Sequence, residues 1–148
     1  MGVSYDVFTK AFIQKVTDYG FLEMNRYEAN TIIDGYMKRA SARFSKVCKY
    51  DLLTRDDIVR EILTDIPDED IDEIVDIVSE GMVEQWARPY MYKVENLENI
   101  LNTADFNSYS PAELLYRITE VYKTVSKSFT NMMREYSYRH GDLTDLHL

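Results

Sequence analysis

Ser110-Pro-Ala-Glu-Leu-Leu-Tyr-Arg-Ile-Thr-Glu-Val-Tyr-Lys-Thr-Val-Ser-Lys-Ser-Phe-Thr-Asn-Met-Met-Arg-Glu-Tyr136 opens with a capping serine, a proline at the first helical position and a glutamate at the third. Leu114, Ile118, Val121, Val125, Phe129, Met132 and Tyr136 then recur at intervals of three and four, the spacing of one helical face. The pattern predicts a helix to near Arg139, roughly 28 residues or about 42 Å at 1.5 Å per residue. Gly141 is a natural stop. So long an amphipathic helix needs other helical faces to cover its stripe, and the sequence before it supplies them.

Ser4 can cap a first helix from about Tyr5 to Thr17, with Val7, Phe8, Ala11, Phe12 and Val16 on one face. Asp18-Tyr-Gly20 breaks it. Asn25 and Glu28 make an asparagine-led capping box for a second helix carrying Ile33, Met37, Ala40, Phe44 and Val47. The polar side of that helix is basic: Lys38, Arg39, Arg43, Lys46 and Lys49. Thr54 and Asp57 can cap a short helix holding Ile58, Ile62 and Leu63, closed by Pro67. A third main helix is expected from Asp68, its first turn rich in acids that the helix dipole favours. Its stripe reads Ile71, Ile74, Val75, Val78, Met82 and Trp86, and Pro89 should kink or end it near Arg88. A short helix over 96–101 and then a loop are expected before Ser110. The fold class is therefore all-α: a small helical bundle over residues 1–140, a long C-terminal helix, and a short extended tail over 141–148. Trp86 is expected in the core, against the last helix near Val125 or Phe129.

Composition agrees. Five glycines and three prolines in 148 residues are too few for an all-β chain, which needs a turn every 8–12 residues or so. No apolar run approaches the roughly 20 residues that span a bilayer, and the start shows no basic region followed by an apolar stretch. No membrane partner is expected. Cys48 has no cysteine to pair with and falls beside an apolar stripe, where a packed thiol is expected.

The net charge of −9 is unevenly spread. Residues 1–50 hold eight basic and five acidic side chains (+3), residues 51–80 two and twelve (−10), and residues 81–148 seven and nine (−2). Duplex binding needs a basic stripe to neutralise phosphates, so sequence-specific DNA binding is not expected. The basic second helix and acidic third segment have two readings. They meet within one bundle, or they face adjacent subunits of a ring head to tail, with Arg39, Arg43 and Lys46 against Asp68, Asp72 and Asp76 of a neighbour.

Catalytic and metal chemistry find no foothold. A calcium loop beginning at Asp68 needs glycine sixth and glutamate twelfth, and these positions hold Glu73 and Ser79. His140 and His147 lack companions at zinc-ligand spacing, and no nucleophile elbow or phosphate loop occurs. Neither enzymatic activity nor a cofactor is expected. Twelve tyrosines, seven of them from Tyr90 onward, and seven methionines suit a contact-rich surface, because such side chains offer large contact area. Tyr116, Tyr122 and Tyr136 individually read as edging the bundle core.

Four strings carry a family likeness: Ser79-Glu-Gly-Met-Val-Glu-Gln-Trp-Ala-Arg-Pro89, Glu95-Asn-Leu-Glu-Asn-Ile-Leu-Asn-Thr-Ala-Asp-Phe106, Tyr109-Ser-Pro-Ala-Glu-Leu-Leu115 and Arg134-Glu-Tyr-Ser-Tyr-Arg-His-Gly-Asp-Leu143. Through them residues 79–148 resemble the head–tail connector (neck adaptor) proteins of long-tailed bacteriophages; the long acidic 51–76 segment departs from that pattern. The resemblance implies a structural protein of the virion neck, made in the host cytoplasm. It would assemble with itself as a ring, typically twelve-fold, beneath the portal protein. Such a ring extends the DNA channel, through which DNA passes without sequence-specific binding, and offers a surface to a stopper or other neck protein. The family's C-terminal segment reaches back to the portal, which assigns docking here to Leu143, Leu146 and Leu148 in the tail. The alternative is a cytoplasmic helical interaction or regulatory module, including a DNA mimic.

Overall fold

The computed structural model describes residues 2–16, 26–101 and 109–140. Four helices dominate: α1 (Tyr5–Lys15), α2 (Arg26–Phe44), α3 (Asp68–Leu101) and α4 (Tyr109–His140). The expected all-α bundle with a long C-terminal helix is the architecture observed, with a small sheet added. Its two-residue strands β1 (Val3–Ser4), β2 (Arg55–Asp56) and β3 (Glu61–Ile62) run antiparallel in the order β1-β3-β2. Ile62 lies opposite both Val3 and Arg55.

Local chemistry explains the ends. The Ser4 hydroxyl accepts the Asp6 N–H at 3.2 Å, capping α1. Val16, in extended conformation, closes the helix by donating to the Phe12 carbonyl. Tyr5, Phe8 and Phe12 are buried, whereas Val7, expected on the same face, is 41% exposed. The apolar run of α2 buries Ile33, Met37, Ala40 and Phe44. That helix stops at Phe44, whose carbonyl takes the N–H groups of both Val47 and Cys48 at 3.0 Å. Asn25, the expected cap, lies outside the described residues.

Two expectations are corrected. Residues 54–63 form no helix: Arg55–Ile62 is a hairpin. Leu63 N–H continues its pairing to the Thr54 carbonyl at 2.9 Å. The supposed cap Asp57 sits in the turn, and Ile58, assigned to a buried stripe, is 93% exposed. Only Ile62 enters the core. The residue types left the choice open, since β-branched Ile58, Val59 and Ile62 favour strands as readily as a short helix. Second, of the two outcomes expected at Pro89, the ending of the helix does not occur and no separate short helix follows; α3 continues through Pro89 to Leu101. An interior proline costs about 3 kcal/mol by removing one helical hydrogen bond and crowding the preceding turn. Packing elsewhere along the 34-residue helix offsets that cost.

The core is the volume enclosed by α3 and its neighbours. Ile74, Val78, Met82 and Trp86 of the expected stripe are buried, Ile71 and Val75 partly so. Gly81 to Ala87 are buried without interruption, because α3 there passes between α2 and α4 and has no solvent side. On α4, Tyr122, Val125, Phe129, Met132 and Tyr136 face the core, Phe129 and Tyr136 completely. Their spacing of three, four, three and four is that of a coiled-coil seam. It selects Tyr122 and leaves Val121, expected on the stripe, 38% exposed. Trp86 itself is 9% exposed within this core.

Between the helices, the tightest approach at a described glycine is at Gly81. A Cβ there would lie 2.6 Å from Phe129 Cζ and 2.8 Å from Ala40 Cβ. In an unconstrained helix glycine to alanine gains about 1 kcal/mol. Here Ala40 is anchored on α2 and the Phe129 ring is fully buried, so overpacking at about 1–3 kcal/mol outweighs the propensity gain. Gly81→Ala is therefore expected to lower the urea midpoint. A midpoint equal to or above that of the parent chain would show that the helices can part without cost.

Candidate functional site

The hairpin is held by an arginine in an unusual conformation. Arg60, at φ 57°, is the one non-glycine residue with positive φ among those described. Its guanidinium grips Asp34 of α2 through two bonds, Nε to Oδ2 at 2.7 Å and Nη2 to Oδ1 at 2.8 Å. Its Nη1 donates to Asp6 of α1 at 2.8 Å. The Arg60 carbonyl also accepts the Tyr5 N–H at 2.9 Å, so the same residue occupies an otherwise orphaned donor at the start of α1. Charge-assisted bonds of this planar, two-pronged kind are stronger than neutral ones. The bonds to Asp34, first, hold the guanidinium protonated well beyond the ordinary arginine range.

Asp57 is the second rivet. Its carboxylate accepts the Tyr5 hydroxyl at 2.7 Å and pairs with Lys38 of α2 at 3.0 Å. These donors, the Tyr5 hydroxyl above all, lower its pKa below the usual carboxylate value, while burial and Asp57 raise that of Tyr5. Asp56 accepts the N–H groups of Ile58 and Val59 at 2.9 and 3.3 Å, an Asx turn that shapes the tip. Ile58 and Val59 are thus held outward, 93% and 59% exposed, on a turn fastened to two helices.

A second feature lies where the end of α2 meets α4. Arg43, Lys46, Val47, Thr130, Met133 and Arg134 line a groove of about 220 Å³. That is below the roughly 300–1,000 Å³ of small-molecule pockets and suits one or two side chains. Arg43 is committed inward: it pairs with the buried Glu84 of α3 and lies 5.1 Å from the Phe129 ring centroid. Lys46 and Arg134 make no ion pair with a described residue. Just beyond, the buried Tyr136 hydroxyl accepts the Lys49 N–H at 3.2 Å, and its ring meets Phe44 edge-on at 4.9 Å. Cys48 contributes a packed thiol that faces the Tyr136 hydroxyl at 3.8 Å and is pushed up in pKa by burial.

Among the described ion pairs, none joins the basic helix to the acidic 68–76 segment. Arg39 donates to Gln85 at 3.0 Å, and Arg43 takes Glu84. Asp76 belongs to Lys15 at 3.0 Å, and Glu73 to Arg139 and to His140 at 3.0 Å. Asp70 receives the Tyr50 hydroxyl and pushes its pKa up to about 12. Asp68 and Asp72 are exposed without an ion pair to a described residue. Of the six proposed subunit-contact residues, Lys46, Asp68 and Asp72 therefore have no ion pair with a described residue, and Arg39, Arg43 and Asp76 hold the chain's own helices. Val125 and Phe129 lie in the core, whereas Leu143, Leu146 and Leu148 fall outside the described residues. Sequence reasoning missed Arg60, Asp34 and Asp6 altogether. Their meeting depends on the hairpin, and the turn carries no glycine or asparagine to announce it.

Two outcomes test this anchoring. Arg60→Ala should lose about 2 kcal/mol through its charge-assisted bonds, whereas Arg60→Gly should recover about 1 kcal/mol of that by removing the left-handed strain. Urea midpoints for the pair check it, and a glycine variant no better than alanine would remove strain from the account. In acid, Asp57 and Asp51 matter together, the latter lowered in pKa by the Thr54 hydroxyl first and by the Leu53 N–H. A carboxylate with a depressed folded pKa stabilises above its unfolded value and loses that contribution as pH falls through the folded one. The urea midpoint should hold from pH 7 to 5 and fall below about pH 4, and Asp57→Asn should flatten part of the fall.

No family model, curated protein or solved structure matches this chain.

Proposed function

We propose that this protein is a head–tail connector of a long-tailed bacteriophage, a non-enzymatic ring component between the portal and the next neck protein. The observation that carries the reading is where the four connector-like strings fall. They lie on α3 and α4, the two long helices packed along each other, and on their flanking segments, rather than scattered over the chain.

Two surface properties support it. A ring of identical subunits needs two different complementary faces on each copy, and the apolar hairpin tip and the basic groove are different surfaces of one chain. A net charge of −9 also suits a DNA conduit, because like charge discourages phosphates from sticking to the wall.

Native mass measurement and negative-stain imaging of the purified chain, alone and with a portal, test the proposal. A closed ring with a central channel that docks on the portal is expected. Deleting residues 142–148 should leave the helical content unchanged and abolish docking. A chain that stays monomeric or dimeric at millimolar concentration and ignores the portal would overturn the connector reading in favour of a helical regulatory module.

A further inference from the structure

The hairpin tip is apolar with acidic neighbours and the groove is apolar with basic ones, yet one chain cannot bring them together. Lys38, which holds the tip through Asp57, and Arg43, which lines the groove, are five residues apart on α2. At 3.6 residues per turn that places them about 140° apart around the helix. Tip and groove therefore point away from different sides of the same rod. We propose that Ile58 and Val59 of one copy seat in the groove between Lys46, Met133 and Arg134 of the next copy, so that subunits join head to tail. The contact rests on the ring reading above and names the surfaces that would make it.

The occupant is specified by chemistry on both sides. The groove lining includes apolar Val47 and Met133, three cations and no carboxylate. Lys46 and Arg134 among them are unpaired with any described residue. The tip presents two β-branched side chains beside Asp56, with Asp57 already paired to Lys38, within a 51–65 segment of five acids and two bases. Both bases face inward, Arg60 to Asp34 and Asp6, Arg55 to the Ser41 hydroxyl at 3.3 Å. The groove volume of about 220 Å³ admits an aliphatic tip but little more. Because the tip is fixed by Asp57 and Arg60 before contact, little conformational freedom is lost on docking. Asp56 facing Lys46 and Arg134 would set its orientation.

Paired cysteines test the contact in the full chain. Ile58→Cys in one chain and Met133→Cys in a mass-labelled second chain are mixed under mild oxidation, with the parent chain as control for Cys48. The mixed disulfide should exceed both symmetric disulfides at least tenfold, and the double variant should give a ladder of covalent oligomers. Ile58→Arg, at a solvent-exposed position, should keep the circular dichroism of the parent and weaken self-association at least tenfold. Symmetric disulfides alone, or undiminished association of Ile58→Arg in a chain that otherwise forms rings, would overturn this contact and leave the connector reading standing. Rings that persist in Ile58→Arg but no longer bind the portal would give the tip to the portal, overturning the contact in the same way. Failure of the parent chain to self-associate would overturn this contact, and would overturn the connector reading as well only if the chain also ignores the portal.

Discussion

Everything in this bundle depends on how closely α2 and α4 can approach α3 at Gly81. The absent side chain there lets the Phe129 ring and the Ala40 methyl occupy space that any Cβ would claim. With the helices drawn together, Met82, Val83 and Trp86 sit in continuous apolar surroundings, and α3 loses its solvent side over a whole turn and more. A helix buried all round must satisfy whatever polar groups it carries there. Glu84 and Gln85 fall in that stretch, and the arginines of α2 reach over to meet them.

The basic face of α2 thereby acquires a structural task that its composition does not reveal. Arg43 neutralises a glutamate that would otherwise be buried alone, at a cost of several kcal/mol. One Glu84 oxygen remains buried with no hydrogen bond from a described residue, so the pairing is incomplete and its desolvation cost is only partly offset. What is left for the surface is the residue set that α3 does not consume, Lys46 above all, with Arg134 from α4. The charged surface is thus a remainder, fixed by which charges the core has already taken.

The hairpin follows the same logic from the other end. Asp34 and Asp6 are acids on two separate helices, and Arg60 reaches both only from a left-handed turn. The strain of about 1 kcal/mol for that conformation is small beside the bonds it permits. The result is a rigid apolar point, unusual because exposed turns generally carry polar residues. Its fastening separates it from a frayed loop, and it gives the proposed ring a projecting element to go with its groove.

Much of the architecture is legible in the residues alone. Helical periodicity placed α1, α2, the first half of α3 and nearly all of α4, because an amphipathic helix writes its buried face into intervals of three and four. Ser4 as a cap and the core positions Phe129 and Trp86 were readable for the same local reason. The tertiary structure decided the rest. It carried α3 through Pro89, since packing along a long helix outweighs one lost hydrogen bond. It made residues 55–62 a hairpin, since Arg60 finds Asp34 and Asp6 only when α1 and α2 already lie side by side. It also chose which arginines face inward, because that depends on where Glu84 and Gln85 are buried. Local spacing determines which face of an element is apolar; only the packed neighbours determine which polar side chains remain free to meet a partner.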